Sequence, residues 1–268
     1  MTERTRSFLI VLVLFGALLP GKGAAQTDTT NVWFSNGPTG FTSVMDIEVL
    51  PLAPDTLLAG AFDFAGTNSG VFRSLNRGST WAQTFVDTVL SIAVNARSAQ
   101  VNYAGTLSRG VFKSVDGGAT WAATGLGGVR VDAIVIDPDD TSRVFAGSRD
   151  SIVVSLDGGT TWAKAGLDTV NVLALAINPL GPDTVYVGTD TVGVFRTYDG
   201  GTTWLQINTG LGSLRIIEVI VNPLNPDLVY AATTDAGVFR STDRGNTWFA
   251  ANNGLASLNM TSLGLASG

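Results

Sequence analysis

A phrase of eight residues occurs five times along the chain, and its period constrains the fold more than any other feature of the sequence. Each copy ends in a tryptophan, and successive tryptophans lie 40, 41, 42 and 44 residues apart. These residues are Trp81, Trp121, Trp162, Trp204 and Trp248. A regular period of this length is typical of a protein built from stacked copies of one structural unit. The sequence therefore predicts a repeat architecture.

The phrase has the composition of a tight turn. It opens with Ser or Thr, its third residue is Asp or Asn, and its fifth is Gly. We name these five segments the Asp turns, and their third residues are Asn76, Asp116, Asp157, Asp199 and Asp243. Such a side chain accepts hydrogen bonds from backbone N–H groups two or three residues on, and the glycine supplies a positive φ. The fixed positions thus indicate a structural turn rather than a catalytic group.

The rest of each unit repeats as well. In the fourth unit, apolar runs at 172–177, 184–188 and 193–196 precede the Asp turn, and a further short run follows Trp204. These runs are rich in Val, Ile, Phe, Tyr and Thr and are separated by Gly, Pro, Asn or Asp, which is the pattern of short β-strands. Four strands per unit, stacked radially, predict an all-β propeller of four-stranded blades.

The two ends carry partial units. Residues 31–37 match an outer fourth strand and residues 260–265 match an inner first strand, on either side of five complete units. A lone first strand would leave open edges that closed folds avoid. The sequence allows two arrangements, five closed blades with two extra strands or the front part of a propeller of six to eight blades, and for this reason we expect the second.

The Asp turns are similar to the Asp box, or bacterial neuraminidase repeat. That repeat is found in sialidases, xyloglucanase-type glycoside hydrolases, the sortilin ectodomain and photosystem II assembly factor-like propellers. The resemblance extends from Trp33 to Leu265 and implies a propeller whose Asp turns lie at the blade periphery, away from the ligand face. It implies no single activity. The Phe-Arg-Ile-Pro motif of sialidases is missing from this sequence.

The first 25 residues are predicted to be an export signal. Arg4 and Arg6 precede an apolar run from Phe8 to Leu19, and small residues follow up to a cleavage site after Ala25. The run is shorter than the roughly 20 residues of a membrane-spanning helix. We expect residues 26–268 to be the propeller domain of a bacterial protein located in the periplasm, outside the cell or on its surface.

Composition excludes several kinds of chemistry. The chain has no histidine and no cysteine, which removes Ser-His and Cys-His catalytic pairs, thiolate metal sites and disulfides. Its net charge of −6 argues against a nucleic-acid partner. No cofactor and no metal are expected. Glycoside hydrolysis remains possible, because it requires only two carboxyl groups.

Asp46 is a weak candidate for a catalytic residue. It lies in the first strand of the first unit, and its counterparts by alignment are Ile92, Ala133, Leu173 and Glu218, so the position varies. The resemblance implies that a xyloglucanase-like site would need two acids on opposite sides of a cleft. Glu48 and Glu218 occupy related places in their first strands, which favours a repeated structural role for both.

Binding candidates lie where the repeat is broken, on the loop face opposite the Asp turns. The loop-face candidates are Phe62, Asp63, Phe64, Arg109, Arg130, Arg149, Asp150, Asp190, Arg215 and Asp235. The sequence predicts a secreted, non-catalytic, monomeric scaffold that binds protein or glycan through this face, without a membrane span. The alternatives are a polysaccharide-cleaving glycoside hydrolase, xyloglucanase-like rather than sialidase, and an assembly factor of the photosystem II type.

Overall fold

A computed structural model describes residues 43–63 and 68–264. Twenty β-strands form five sheets, which we number as blades one to five in chain order. Blade one contains β1 (Ser43–Val49), β2 (Leu57–Phe62), β3 (Gly70–Ser74) and β4 (Ala82–Val86). Blade two contains β5 (Val89–Asn95), β6 (Ser98–Thr106), β7 (Val111–Ser114) and β8 (Ala122–Ala123). Blade three contains β9 (Val131–Ile136), β10 (Val144–Ser148), β11 (Ile152–Ser155) and β12 (Ala163–Lys164). Blade four contains β13 (Val172–Ile177), β14 (Val185–Thr189), β15 (Val194–Thr197) and β16 (Leu205–Gln206). Blade five contains β17 (Ile216–Val221), β18 (Val229–Thr233), β19 (Val238–Ser241) and β20 (Phe249–Ala250).

Each blade is an antiparallel meander in which consecutive strands are neighbours. The first strands pack against one another in order, β1 on β5, β5 on β9, β9 on β13 and β13 on β17. They therefore line the axis of a β-propeller, and the fourth strands lie at the rim. Among the described strands, no packing of comparable extent joins β17 back to β1. The predicted all-β propeller with five four-stranded blades is confirmed.

Most of the core lies between blades. Residues of adjacent blades share four of the five apolar clusters in the described residues, as when Tyr186 of blade four packs with Trp248 of blade five, and the fifth cluster lies within blade one. A single four-stranded sheet has too little apolar surface to be stable alone, and stacking supplies the rest. Blade five packs in this way against blade four.

The Asp turns form the hydrogen-bond network that the sequence predicted, with one difference of detail. In blade three, Ser155 Oγ donates to Asp157 Oδ1 at 2.8 Å and accepts the Gly159 N–H at 2.8 Å. The carboxylate accepts the Thr161 N–H at 2.8 Å and the Thr161 hydroxyl at 2.6 Å. This backbone donor lies four residues beyond the Asp rather than two or three. Gly159 has a φ of 94°, as expected for the fifth residue of the turn.

The same glycine also makes the contact between blades. A Cβ atom built on Gly159 would lie 3.3 Å from Cε1 of Tyr103, which belongs to β6 of the preceding blade. The equivalent Gly118 and Gly201 face Leu58 and Phe145 in the same way. The Asp turns of blades two to five therefore pack on the second strand of the blade before them, and the glycine is required by its φ and by the close approach.

The cations of the third strands join this contact. Arg73, Lys113, Arg196 and Arg240 occupy one repeated position of the third strands, and from the sequence alone such a repeated charge predicts a solvated ladder of side chains. That expectation is wrong for the inner members. Lys113 Nζ donates to the Gly158 carbonyl of the next Asp turn at 2.8 Å, and Arg196 is only 3% exposed. These cations donate hydrogen bonds to main-chain carbonyls of the Asp turn of the next blade, and so they stabilise the stack of blades.

The structure describes only one of the two predicted end strands. Residues 31–37 lie outside the described residues. Residues 260–264 are described but do not form a strand, although the Met260 N–H donates to the Thr233 carbonyl at 3.1 Å. This segment follows the path of an inner strand without a sheet to join.

Candidate functional site

Three acidic side chains interact electrostatically beside the propeller axis. Asp46 and Glu48 are two residues apart on β1, so they lie on the same side of the strand, and Glu218 lies on β17. Asp46 Oδ2 accepts the backbone N–H of Ile92, in β5 of the next blade, at 2.7 Å. We name these three residues the axial carboxyl cluster. They belong to the first and the last of the described blades.

The strand register corrects the alignment made from the sequence. Asp46 pairs with Gly60 and Glu218 pairs with Ala232, which is the equivalent position of blade five. Residues at this register in the middle blades are Ser91, Ala133 and Ala174. Ile92 and Leu173 were therefore assigned one residue away from the correct position. A β-bulge precedes this register at the same place in every first strand, so it does not displace one blade relative to another. The two errors arise because the short apolar runs of the first strands offer no fixed residue on which to align them.

The same register shows that Glu48 and Glu218 are not equivalent. Glu48 pairs with Leu58, two positions beyond the register of Asp46. Its counterparts in the other blades are apolar, Ala93, Val135, Ala176 and Ile220. The argument from repetition, which favoured a structural role for Glu48 and Glu218, is therefore wrong. An alignment of the units on the small residue of each second strand, Gly60 in blade one and Ala232 in blade five, would have shown that Glu48 and Glu218 are not equivalent.

The pKa values of the cluster are raised. Burial raises the pKa of Glu218 to about 8, and repulsion from Asp46 adds to the effect. Burial likewise raises the pKa of Glu48 to about 8, with repulsion from Asp46 and Glu218. Burial raises the pKa of Asp46 to about 6, while hydrogen bonds from the Ile92 and Ile47 N–H groups oppose the rise. These side chains keep partial access to solvent, yet the surrounding blades disfavour their charged forms.

The cluster has no cationic partner within the described part of the chain. The ion pairs found there involve other carboxylates, mostly on turns and loops. A group of carboxyl groups close enough to repel one another is unfavourable unless protons or a cation relieve the repulsion. The site can therefore donate hydrogen bonds when protonated, or accept a cationic group when ionised.

The loop-face candidates are not brought together in one site. Four of the eight charged candidates form local ion pairs. Arg109 pairs with Asp87 at 3.2 Å, and Arg215 pairs with Asp190 at 2.9 Å. Arg130 pairs with Asp132, two residues away, at 2.5 Å. The first two pairs join the loop after a second strand to a connection between blades. The third pair joins the start of β9 to the connection just before it.

The remaining loop-face candidates differ in exposure. Arg149, Asp150 and Asp235 are exposed. Asp63 is buried, and its N–H bonds Ser69 Oγ at 2.9 Å, so it belongs to the folded end of the loop. Phe62 is half-buried at the end of β2, and Phe64 lies outside the described residues. From the sequence, Phe62 and Phe64 predict an aromatic platform for a ligand, and this stays a prediction.

Two further features of the described residues bear on the kind of site. No cluster of acidic residues in the described ranges is arranged to ligate a metal ion. No helix long and apolar enough to cross a membrane occurs within 43–63 and 68–264.

Comparison with solved structures agrees with the fold. The GH74 enzyme of Niastella koreensis is 21% identical, with a TM-score of 0.66 over 78% of this chain and 38% of its own. The GH74 xyloglucanase of Xanthomonas campestris is 20% identical, with a TM-score of 0.63 over 78% of this chain and 38% of its own. A structure of YCF48 bound to D1 peptide is 12% identical, with a TM-score of 0.57 over 77% of this chain and 66% of its own.

The chain thus spans well under half the length of the two glycoside hydrolases. At these levels of identity the likeness establishes the β-propeller fold alone. No protein-family model and no curated protein matches the sequence.

Proposed function

We propose that this chain is an exported, non-catalytic binding scaffold, and that the axial carboxyl cluster binds a basic side chain of a protein ligand. The observation that carries the proposal is the repulsion among Asp46, Glu48 and Glu218, for which the described residues offer no cation. A Lys or Arg side chain entering at the axis would relieve that repulsion. The gain in binding free energy is large because the protein surroundings screen charge less than water does.

Two further observations support this proposal. The chain is acidic overall, which favours association with basic ligands. The structure of YCF48 bound to D1 peptide is an example of a protein of similar fold that binds a peptide. The blades are rigidly stacked, and a rigid frame with a single charged site suits recognition.

The test compares binding of peptides that differ only in charge. Titration calorimetry would measure the affinity of the full chain for Lys-containing peptides and for matched peptides with Gln in place of Lys. Glu48→Gln should weaken binding of the basic peptides by about tenfold, since one charged contact is lost. Asp235→Asn is the matched control, because its carboxylate is exposed on the loop face. Equal affinity for both peptide sets would contradict the proposal.

Glycoside hydrolysis is the second candidate, and the spread of pKa values favours it. A hydrolase needs one carboxyl group that is protonated near neutral pH and one that is ionised. Glu218, with its pKa near 8, suits the acid, and Asp46, with its pKa near 6, suits the base or nucleophile. Release of reducing ends from xyloglucan or another polysaccharide, lost in Asp46→Asn without loss of the fold, would establish this candidate over the first.

A further inference from the structure

The turns at one end of the three middle blades form a continuous surface. The turn between the first and second strands lies at the same end of a blade as the Asp turn, because consecutive strands of a meander run in opposite directions. The two turns are hydrogen-bonded to each other, through the Gly158 N–H and the Ser142 carbonyl at 2.8 Å in blade three, and through the Gly200 N–H and the Asp183 carbonyl at 3.0 Å in blade four. Arg143 of blade three pairs with Asp183 of blade four at 2.6 Å. We name the turns of blades two to four the turn face, which comprises residues 96–97, 114–121, 137–143, 155–162, 178–184 and 197–204.

Four large apolar side chains of the turn face are open to solvent. Val115, Leu156 and Tyr198 are the second residues of their Asp turns, and they are 65%, 68% and 50% exposed. Leu180, in the first turn of blade four, is 69% exposed. On the described loop face of the same blades, the most exposed large apolar residue is Leu214, at 43%. Large apolar side chains gathered on one exposed surface mark an interaction site, and here they gather on the turn face.

The fold itself does not require apolar residues at these positions. The hydrogen bonds of an Asp turn involve its first, third, fifth and seventh residues, and the side chain of the second residue takes no part in them. Thr242 is the second residue of the Asp turn of blade five, which has the same hydrogen bonds. Likewise, Asp139 of blade three is equivalent to Leu180, and each donates its N–H to the residue two positions earlier. Because polar residues fit both positions, the exposed apolar side chains need a cause outside the blade.

The turn face is also acidic. It carries seven aspartates and two arginines. Both arginines are already paired within the face, Arg97 with Asp139, and Arg143 with Asp137 and Asp183. The aspartates of the face without an ion-pair partner among the described residues are Asp116, Asp140, Asp157 and Asp199. Hydrogen bonds from a threonine of the same turn lower the pKa of the three in the Asp turns to about 2, so these carboxylates are charged at neutral pH.

We propose that the turn face docks a protein segment that presents apolar side chains together with Lys or Arg. The apolar side chains of the partner bury against the four exposed side chains, and its cations lie beside the unpaired carboxylates. The excess of negative charge opposes the same face of a second copy and an anionic lipid surface, because both would bring like charges together. This surface shares no residue with the axial carboxyl cluster, so it is a second docking site at the end of the blades opposite the loop face.

Titration calorimetry of the full chain with three synthetic helical peptides tests the proposal. The first peptide has Leu on one face and Lys on the other, the second has Glu in place of Lys, and the third has Gln in place of Leu. We expect the first to bind at least about tenfold more tightly than the other two, because only it satisfies both the apolar and the charged part of the face. Equal affinities for the three peptides would overturn the proposal.

Substitutions locate the binding site. Leu156→Ser and Leu180→Ser should each weaken binding of the first peptide by about tenfold, because an apolar contact is lost. Leu205→Ser is the matched control, since this leucine is 55% exposed but lies on β16 at the rim. The axial carboxyl cluster contains none of these residues, so the loss reports on the turn face alone. An equal loss in Leu205→Ser, or no loss in the other two variants, would contradict the proposal.

Two measurements distinguish the other possible occupants. In sedimentation velocity, we expect no self-association that depends on Leu156; self-association abolished by Leu156→Ser would assign the face to a second copy and overturn the proposal. In cosedimentation with vesicles of phosphatidylcholine and phosphatidylglycerol, we expect the chain to stay in solution. Vesicle binding that is lost in Leu180→Ser would assign the face to a lipid surface and would also overturn it.

Discussion

Trp248→Ala is the substitution whose effect follows most directly from the stacking of the blades. The Trp248 indole is 2% exposed and packs in the cluster that blades four and five share. Its N–H donates to the Ile207 carbonyl of the preceding blade at 2.7 Å. The substitution therefore removes the largest side chain of this interface and one hydrogen bond across it.

The magnitude follows from these two losses. Truncation of a buried Trp to Ala lowers the free energy of unfolding by about 3–5 kcal/mol. The lost hydrogen bond contributes about 1 kcal/mol of that effect, because water reaches the Ile207 carbonyl at the rim once the indole is gone. Trp248→Phe keeps most of the apolar contact and loses the donor, so we expect a smaller loss of about 1–2 kcal/mol. The order of stability is then wild type, the Phe variant and the Ala variant.

Urea denaturation followed by far-ultraviolet circular dichroism measures these differences. Trp162→Ala is the comparison, since this indole is only half-buried and donates to Gly159 within its own turn at 3.1 Å. It should cost less than Trp248→Ala, at about 2 kcal/mol. Equal losses at the two positions, or an unchanged midpoint for Trp248→Ala, would refute the view that the Asp turns hold neighbouring blades together.

Three further predictions concern the axis and the turns. Because burial raises the pKa of Glu218 to about 8, its contribution to stability is present below its ordinary pKa and is lost as pH rises through about 8. Glu218→Gln should therefore flatten the fall in melting temperature between about pH 5 and pH 8, and an unchanged slope would contradict the assigned cause. Hydrogen bonds from Thr161 lower the pKa of Asp157 to about 2, so its contribution is present above its ordinary pKa and is lost on acidification. Asp157→Asn should lower the melting temperature at neutral pH and have little effect near pH 2; no change at neutral pH would count against the network. Gly159→Ala should lower the free energy of unfolding by about 1–2 kcal/mol from its positive φ alone, with more from the clash across the blades, and a neutral result in urea denaturation would argue against that contact.

The positions of individual strands and turns were predictable because their causes are local. Short β-branched runs between turn residues predicted the strands, and the spacing of Asp157 from Gly159 predicted a turn. Tyr103 and Tyr186 likewise recur with the period of the unit, and each pairs across the strands with the cation of its third strand. These features depend on residues that are close in sequence or that recur with the period of the unit.

The candidate site was less accessible to sequence reasoning. The alignment matched Asp46 with Glu218 correctly, but it displaced Ile92 and Leu173 by one residue and did not show that Glu48 has no acidic counterpart. The loop-face charges were expected to be available for a ligand, yet Arg109 and Arg215 form ion pairs with neighbouring loops. Which carboxylate faces which arginine depends on how the blades are stacked, and that is not local information.

The sequence by itself determined the repeating unit, its four strands and the chemistry of its Asp turns, because hydrogen bonds within eight residues and the alternation of apolar side chains suffice to specify them. Only the tertiary structure decided what each repeated residue does. Arg196 is buried against the next turn while Arg240, in the same slot, is exposed, and the difference arises from whether another blade follows on that face. Likewise, Glu48 and Glu218 are far apart in sequence and repel one another only because the propeller brings its first and last blades to a common axis.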